Sequence, residues 1–332
     1  MTIGQSLEEY LRYFLMGVEE GPLYQYGFGM QLLTMLFLHA CTSDKTDTAK
    51  EVEHNGLIDN IDPETLFNNI QVFGTHNSYH IAPESTTVDE WNYTHDPLHV
   101  QLDKGIRQFE IDVVWDPDRE VIAVQHVPIL DARSTCDLLL DCLEVVTEWL
   151  DEHPNTVPLQ ILIEPKTEIA TWSMTDHMEQ LEDELRQGLS GKLWTVNDQW
   201  GEYETLRQSV LESVFPTVGE LRGQVLLALL DGSDPFDAYT RDATEIRDRV
   251  MFPLMPSDHP WAGYFLRDNP YSQEISDLHA QGFLVRTRAD AGIVYDEERW
   301  MTAYNGFANA ISMDTEEGLS RLNSDFPIRI LE

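Results

Sequence analysis

Basic residues are scarce in this chain. Its 332 residues include 21 Lys and Arg against 59 Asp and Glu, a net charge of −38. A surface of that sign repels phosphate backbones, which excludes nucleic acid as a partner, and it is also repelled by an anionic membrane. Such acidity suits solubility, including in salty surroundings. Internal repeats and low-complexity blocks are missing from residues 66–332. Cysteine occurs only three times, at Cys41, Cys136 and Cys142. What is present is 42% hydrophobic residues, enough for a substantial core. A chain of this length forms one large domain or two ordinary ones, and α/β barrels reach this size as one unit.

Cys41 ends the apolar run Met30-Gln-Leu-Leu-Thr-Met-Leu-Phe-Leu-His-Ala-Cys41. A run of roughly a dozen residues is too short to span a bilayer and has the length of a signal-peptide core. Leu38, Ala40 and Cys41 fit a bacterial lipoprotein processing site, with Cys41 as the membrane tether. His39 is unusual there, and the nearest upstream basic residue is Arg12. Two readings stand for 1–41: an export signal with a lipid anchor, or an amphipathic helix packed on the domain. Residues 42–65 are polar and read as a linker, and 66–332 as the folded domain. An exported protein would carry Cys136 and Cys142 in an oxidising compartment, as a disulfide closing a short loop or as two buried thiols.

From residue 66, apolar runs alternate with helical stretches. The runs are Ile70–Phe73, Ile106–Val114, Val121–Val124, Leu159–Ile163, Val225–Leu230, Met251–Met255, Phe283–Val285 and Ala310–Met313. Helical spacing marks Asp137–Leu150 and Asp176–Leu189. Strand and helix alternating about eight times predict an α/β fold, a TIM-type (β/α)8 barrel.

Active sites in such barrels form at the strand C-termini. There the sequence places His76 and Asn77, Glu110 and Asp112, Gln125 and His126, Glu164 and Lys166, and the stretch Arg286-Thr-Arg288-Ala-Asp290. Glu110 and Asp112, two apart on a strand, point to one face. Carboxylates pressed together repel, and burial raises the cost of each. A hard divalent cation resolves this, and Asn with carboxylates suits Ca²⁺ or Mg²⁺ rather than Zn²⁺. The histidines suit acid–base work. The combination implies phosphoryl chemistry on a metal. His80, His95 and His99 carry no such argument and read as structural or surface residues. Trp91, Trp115, Trp172, Trp194, Trp200 and Trp261 read as core or loop packing, with a lipid-facing or sugar-stacking rim as the alternative.

Gly74-Thr-His-Asn-Ser-Tyr-His80, Glu110-Ile-Asp112, Gln125-His126 and Ile163-Glu-Pro-Lys166, in that order, resemble the calcium-dependent phosphatidylinositol-specific phospholipase C-like family of bacteria and fungi. More distantly they resemble the X region of eukaryotic phosphoinositide phospholipases C. Val285–Asp290 looks like the late-barrel stretch of the bacterial group, and the resemblance covers roughly 66–316. It implies that Asn77, Glu110, Asp112 and Glu164 hold Ca²⁺ and that His76 and His126 are catalytic. Lys166, Arg286 and Arg288 become phosphate contacts. It also implies attack by an inositol hydroxyl, giving a cyclic inositol phosphate and diacylglycerol. Metal-free relatives place an arginine where the calcium sits; carboxylates stand here, which fits the metal-dependent version. The expectation is an extracellular or periplasmic enzyme acting on a phospholipid or a soluble phosphodiester. Two alternatives remain: a glycerophosphodiester phosphodiesterase, and a non-catalytic ligand-binding barrel at the cell surface.

Overall fold

The computed structural model describes residues 61–167, 169–230, 234–242, 244–321 and 328–331. The predicted export segment with Cys41, and the linker up to residue 60, lie outside these residues. Residues 61–65 are packed: Ile61 joins the core, and Pro63 and Thr65 carbonyls accept from Gly219 N (2.9 Å) and Val218 N (2.7 Å).

The strands are β1 (Ile70–Thr75), β2 (Gln108–Asp116), β3 (Val121–Val124), β4 (Leu159–Pro165), β5 (Leu193–Trp194), β6 (Val225–Leu229), β7 (Met251–Pro253), β8 (Tyr264–Leu266), β9 (Leu284–Arg288), β10 (Ala310–Met313) and β11 (Arg329–Ile330). Parallel pairing runs from β1 through β2, β4 and β6 to β7, and in the other direction from β1 through β10 and β9 to β8. A single parallel bridge, Leu254 to Tyr264, joins the two ends. The expected barrel is therefore present, with two corrections to its strand list.

Val121–Val124 is not a barrel strand. It returns antiparallel along the end of β2, with Val113 opposite Val124 and Asp116 opposite Val121. The reason is loop length. A parallel return needs a crossover of about a dozen residues, and only Pro117–Glu120 separates the two strands. Asp116 caps this turn by accepting from the backbone N–H groups of Asp118 and Arg119. The eighth parallel strand is instead Tyr264–Leu266, whose three residues leave little periodic signal.

Side-chain alternation divides each strand between two faces. Phe109, Ile111, Val113, Ile161, Ile163, Leu227 and Leu229 pack with Leu139, Leu143, Val146, Leu181 and Leu185 of the surrounding helices. Those helices are Leu139–Glu152 and Met178–Gly188, close to their expected bounds. The opposite face carries Gln108, Glu110 and Asp112 of β2, paired in register with Gln160, Leu162 and Glu164 of β4. Register thus sets Asp112 directly beside Glu164. Cys136 and Cys142 are joined as a disulfide at the start of the first of these helices, with Cα atoms 5.2 Å apart. Among the described residues no helix is long and apolar enough to cross a membrane.

Candidate active site

The turn after β1 explains why His and Asn stand side by side. A Cβ on Gly74 would lie 2.0 Å from Gln108 Oε1, so only glycine lets the two strands meet here. Asn77 takes the left-handed conformation (φ 42°), which Asn tolerates better than most residues. Ser78 then fastens the turn to β2: its N–H donates to the Glu110 carbonyl, and its Oγ accepts from Glu110 N–H, both at 2.9 Å. His76 and Asn77 are thereby held over Glu110 and Asp112.

Glu110, Asp112 and Glu164 bring carboxylate oxygens within 4.8 Å of one another. Glu110 and Asp112 are buried. Neither oxygen of Asp112 has a well-aligned hydrogen-bond donor. Lys166 Nζ lies 2.6 Å from Glu164 Oε1 and 3.0 Å from Asp112 Oδ2, the latter close but off the bonding direction. Burial, reinforced by Asp112, pushes Glu164 up to about 7. Burial and then Glu110 raise Asp112 against the pull of Lys166. Burial would also raise Glu110, but His76, Arg286 and Arg288 hold it low. Buried, mutually repelling oxygen donors with unused lone pairs suit a hard divalent cation. The residues therefore fit Ca²⁺.

His76 lies between two carboxylates. Its Nδ1 is 3.2 Å from Asp314, and its Nε2 is 3.4 Å from Glu110 Oε1. Burial disfavours its charged form, yet Asp314 and Glu110 raise it overall. Asp314 follows β10 and was missed by the sequence reading, although the strand-end rule applied to β10 singles it out. Burial would raise it, but His76, His95 and Arg288 hold it far below the usual carboxylate range. His95, read as structural or surface, is buried and donates from Nε2 to the His76 carbonyl at 2.9 Å. His99 is exposed.

His126 reaches the mouth on the segment after β3. Its Nδ1 is 2.8 Å from Asp131 Oδ2, and its ring is 22% exposed. Burial, Lys166 and His76 together hold His126 below its usual value in spite of Asp131. Asp131 and His80, which also contacts it, were not singled out by sequence; only the fold brings them under His126.

The two arginines differ. Arg286 is 1% exposed, donating to Glu110 Oε2 at 2.6 Å and pairing with Asp268 through its other arm. It faces carboxylates rather than an open cavity. Arg288 is 14% exposed and donates to Asp314 (2.6 Å) and Asp290 (3.2 Å). Asn77 Nδ2 donates to Tyr93 Oη at 3.1 Å. All nine residues given roles from sequence are thus at one mouth, together with Asp290 from the same stretch, and Asp314, Tyr93 and Asp131 are added to them.

The chain matches the family model for Ca²⁺-dependent phosphoinositide phospholipase C over residues 66–121 and 118–332. Among solved structures, it is similar to a calcium-dependent phosphoinositol-specific phospholipase C from the Gram-negative bacterium Pseudomonas sp. That match has a TM-score of 0.61 and 18% identity, covering 84% of this chain and 100% of the other. A Ca²⁺-dependent phosphatidylinositol-specific phospholipase C from Streptomyces antibioticus gives a TM-score of 0.58 at 18% identity, over 77% of this chain and 96% of that one. The phosphatidylinositol-specific enzyme of Listeria monocytogenes gives 0.51 at 13%, over 80% and 95%. No curated protein sequence matches significantly. At these identities the structures speak for the fold alone, while the family model spans most of the chain. The chain belongs to the Ca²⁺-dependent phosphoinositide phospholipase C family and is a phospholipase C-like, calcium-using phosphodiesterase on a TIM-type barrel.

Proposed function

We propose that the enzyme cleaves the phosphodiester of a phosphoinositide by internal attack of an inositol hydroxyl, releasing diacylglycerol and a cyclic inositol phosphate. The observation that carries this reading is the trio of converging carboxylates, with Asp112 met only by the poorly aligned ammonium of Lys166 and Glu110 3.4 Å from His76 Nε2.

In this reading Asn77, Glu110, Asp112 and Glu164 hold Ca²⁺. The donor set suits Ca²⁺ better than Mg²⁺, which demands a stricter octahedron and keeps more water. When bound, the ion lowers the pKa of the attacking hydroxyl and neutralises phosphate oxygens. The protein's own groups do the rest. His76 and His126 divide two tasks: donating to the oxygens of the five-coordinate phosphorus, and protonating the diacylglycerol alkoxide as its P–O bond breaks. A carboxylate of the trio takes the hydroxyl proton. Lys166 and Arg288, both partly open to the mouth, contact the phosphate. Arg286, closed off from it, holds Glu110 in place.

A soluble phosphodiester is the second reading, favoured by the net charge of −38, which opposes approach to an anionic bilayer. The Cys136–Cys142 disulfide supports an exported enzyme, extracellular or periplasmic; the proposal of Cys41 as its lipid anchor rests on the sequence pattern before it alone. Phosphorus NMR tests the reaction, with phosphatidylinositol and glycerophosphoinositol, with calcium and with chelator. A calcium-dependent cyclic inositol phosphate is expected. An acyclic phosphomonoester as first product would overturn internal attack, and turnover of glycerophosphoinositol alone would select the soluble substrate.

A further inference from the structure

Beneath His126 lies a closed set of contacts of which the proposed reaction uses only the outermost ring. Asp131 is fully buried. One of its oxygens accepts from His126 Nδ1 at 2.8 Å, and both lie 2.9 Å from His80 Nε2. His80 is itself fully buried, with Nδ1 3.0 Å from the Tyr93 carbonyl and its ring stacked on Tyr93 at 4.2 Å. Both ring nitrogens of His80 therefore face oxygens, a carbonyl that can only accept and a carboxylate. The doubly protonated ring satisfies both, paired with an ionised Asp131. His126 then has one choice: Nδ1 carries its hydrogen to Asp131, and Nε2 is left as the proton-exchanging atom.

The loop is built around this contact. Val127 and Asp131 exchange backbone hydrogen bonds of 3.0 and 2.9 Å. Between them Ile129 stands at φ 74°, a left-handed conformation that β-branched residues rarely adopt. Its side chain is 63% exposed, so burying that side chain does not account for the conformation. What the tight loop does achieve is to return Asp131 beneath the ring that left β3 five residues earlier.

We infer that Asp131 and His80 are positioning residues for His126: their buried ion pair fixes the Nδ1–H tautomer and leaves Nε2 for proton transfer. This rests on the reading of His126 as a catalytic group. A lone buried carboxylate would also favour a permanent positive charge on His126. With His80 balancing it, Asp131 orients the ring without locking its charge. The groups facing His126 are Asp131 and His80 below, Lys166 from the end of β4, His76 from the end of β1, and Trp91 edge-on at 5.9 Å. Asp131 raises the proton affinity of His126, while Lys166 and His76 lower it.

The test is Asp131→Asn in the full-length protein with saturating calcium, assayed on phosphatidylinositol vesicles across pH. We expect kcat to fall by roughly 10- to 100-fold, less than the 10²–10⁴-fold that a whole acid–base group contributes. KM should hold within about twofold, and the ionisation assigned to His126 should move to lower pH. In a His126→Ala background, Asp131→Asn should cost nothing further. An unchanged kcat and pH profile in a folded Asp131→Asn protein would overturn the inference, as would a multiplicative loss in the double variant. A readout independent of turnover is nitrogen NMR of the His126 ring at pH 8 in the unaltered protein. Hydrogen on Nδ1 is expected, and hydrogen on Nε2 would overturn the inference even if Asp131→Asn failed to fold. A protein with the expected tautomer but no phosphoinositide turnover would leave the positioning pair standing and remove the phospholipase reading instead.

Discussion

Among the described residues, two clusters at one barrel mouth have the composition of a metal site, His80/His126/Asp131 and Glu110/Asp112/Glu164, each with ligand-type atoms within 4.8 Å. They differ in protons. The histidine cluster has hydrogens to share, and contacts of 2.8–2.9 Å use them, so it is complete as it stands. The carboxylate cluster has no hydrogens to share unless a carboxylate is protonated. No donor is well aligned on either Asp112 oxygen, Glu164 is pushed up to about 7, and the cations in contact, Lys166 on Asp112 and Glu164 and Arg286 on Glu110, leave three carboxylates facing two fixed charges. Proximity of metal-ligating residue types therefore does not identify a cation site. Unbalanced charge with unused lone pairs does.

Four outcomes would sharpen or break that contrast. The largest concerns chemistry: His76→Ala should lower kcat by about 10²–10⁴-fold, the range for a general acid–base group, while calcium still raises the melting temperature. Survival of more than a tenth of the activity would remove His76 from the reaction. Next, Asp112→Asn should abolish most of the calcium-induced melting shift, which for wild type corresponds to about 2.7 kcal/mol at a hundredfold excess over Kd. The same change should leave the calcium-free protein as stable or more stable, because it removes a buried like charge. If the variant instead unfolds more easily without calcium, the trio is not frustrated as described.

Third, Lys166→Met removes the cation that competes for Glu164 and Asp112. The calcium-free protein should melt earlier, and calcium measured by calorimetry should bind roughly tenfold tighter, about 1.4 kcal/mol. Weaker binding would show that the ammonium supports the metal site rather than substituting for it. The smallest effect belongs to the histidine cluster. His126 binds protons less readily in the fold than its ordinary value of 6.5. The unfolded chain takes up that proton first, so wild type should lose stability relative to His126→Gln as pH falls below about 6.5, and not above it. Urea unfolding at pH 8 and pH 5.5 reads the difference, and an equal gap at both would exclude the burial argument.

The strand-end rule found His76, Asn77, Glu110, Asp112, His126, Glu164, Lys166, Arg286 and Arg288 because each directly follows, or alternates along, an apolar run. It would have found Asp314 had it been carried to the last strand. Asp131 was illegible: it lies on a loop five residues past His126, and nothing local marks it as that ring's partner. Tyr264–Leu266 is too short for periodicity to register, and Val121–Val124 looked like its neighbours until the shortness of Pro117–Glu120 is weighed.

The sequence by itself determined the barrel, since alternating apolar runs and amphipathic helices have few other ways to bury their faces. It also determined the chemistry at the mouth, because side chains two apart on a strand must share a face. Only the tertiary structure decided which charges cancel. Arg286 and Arg288 occur in one stretch, yet one is sealed against Glu110 and Asp268 while the other opens to the mouth with Asp314. Likewise His80 and His126, 46 positions apart, become a pair only because a hairpin and a tight loop bring Asp131 between them. Charge balance depends on distances of a few ångströms between segments far apart in the chain, and no local pattern encodes those distances.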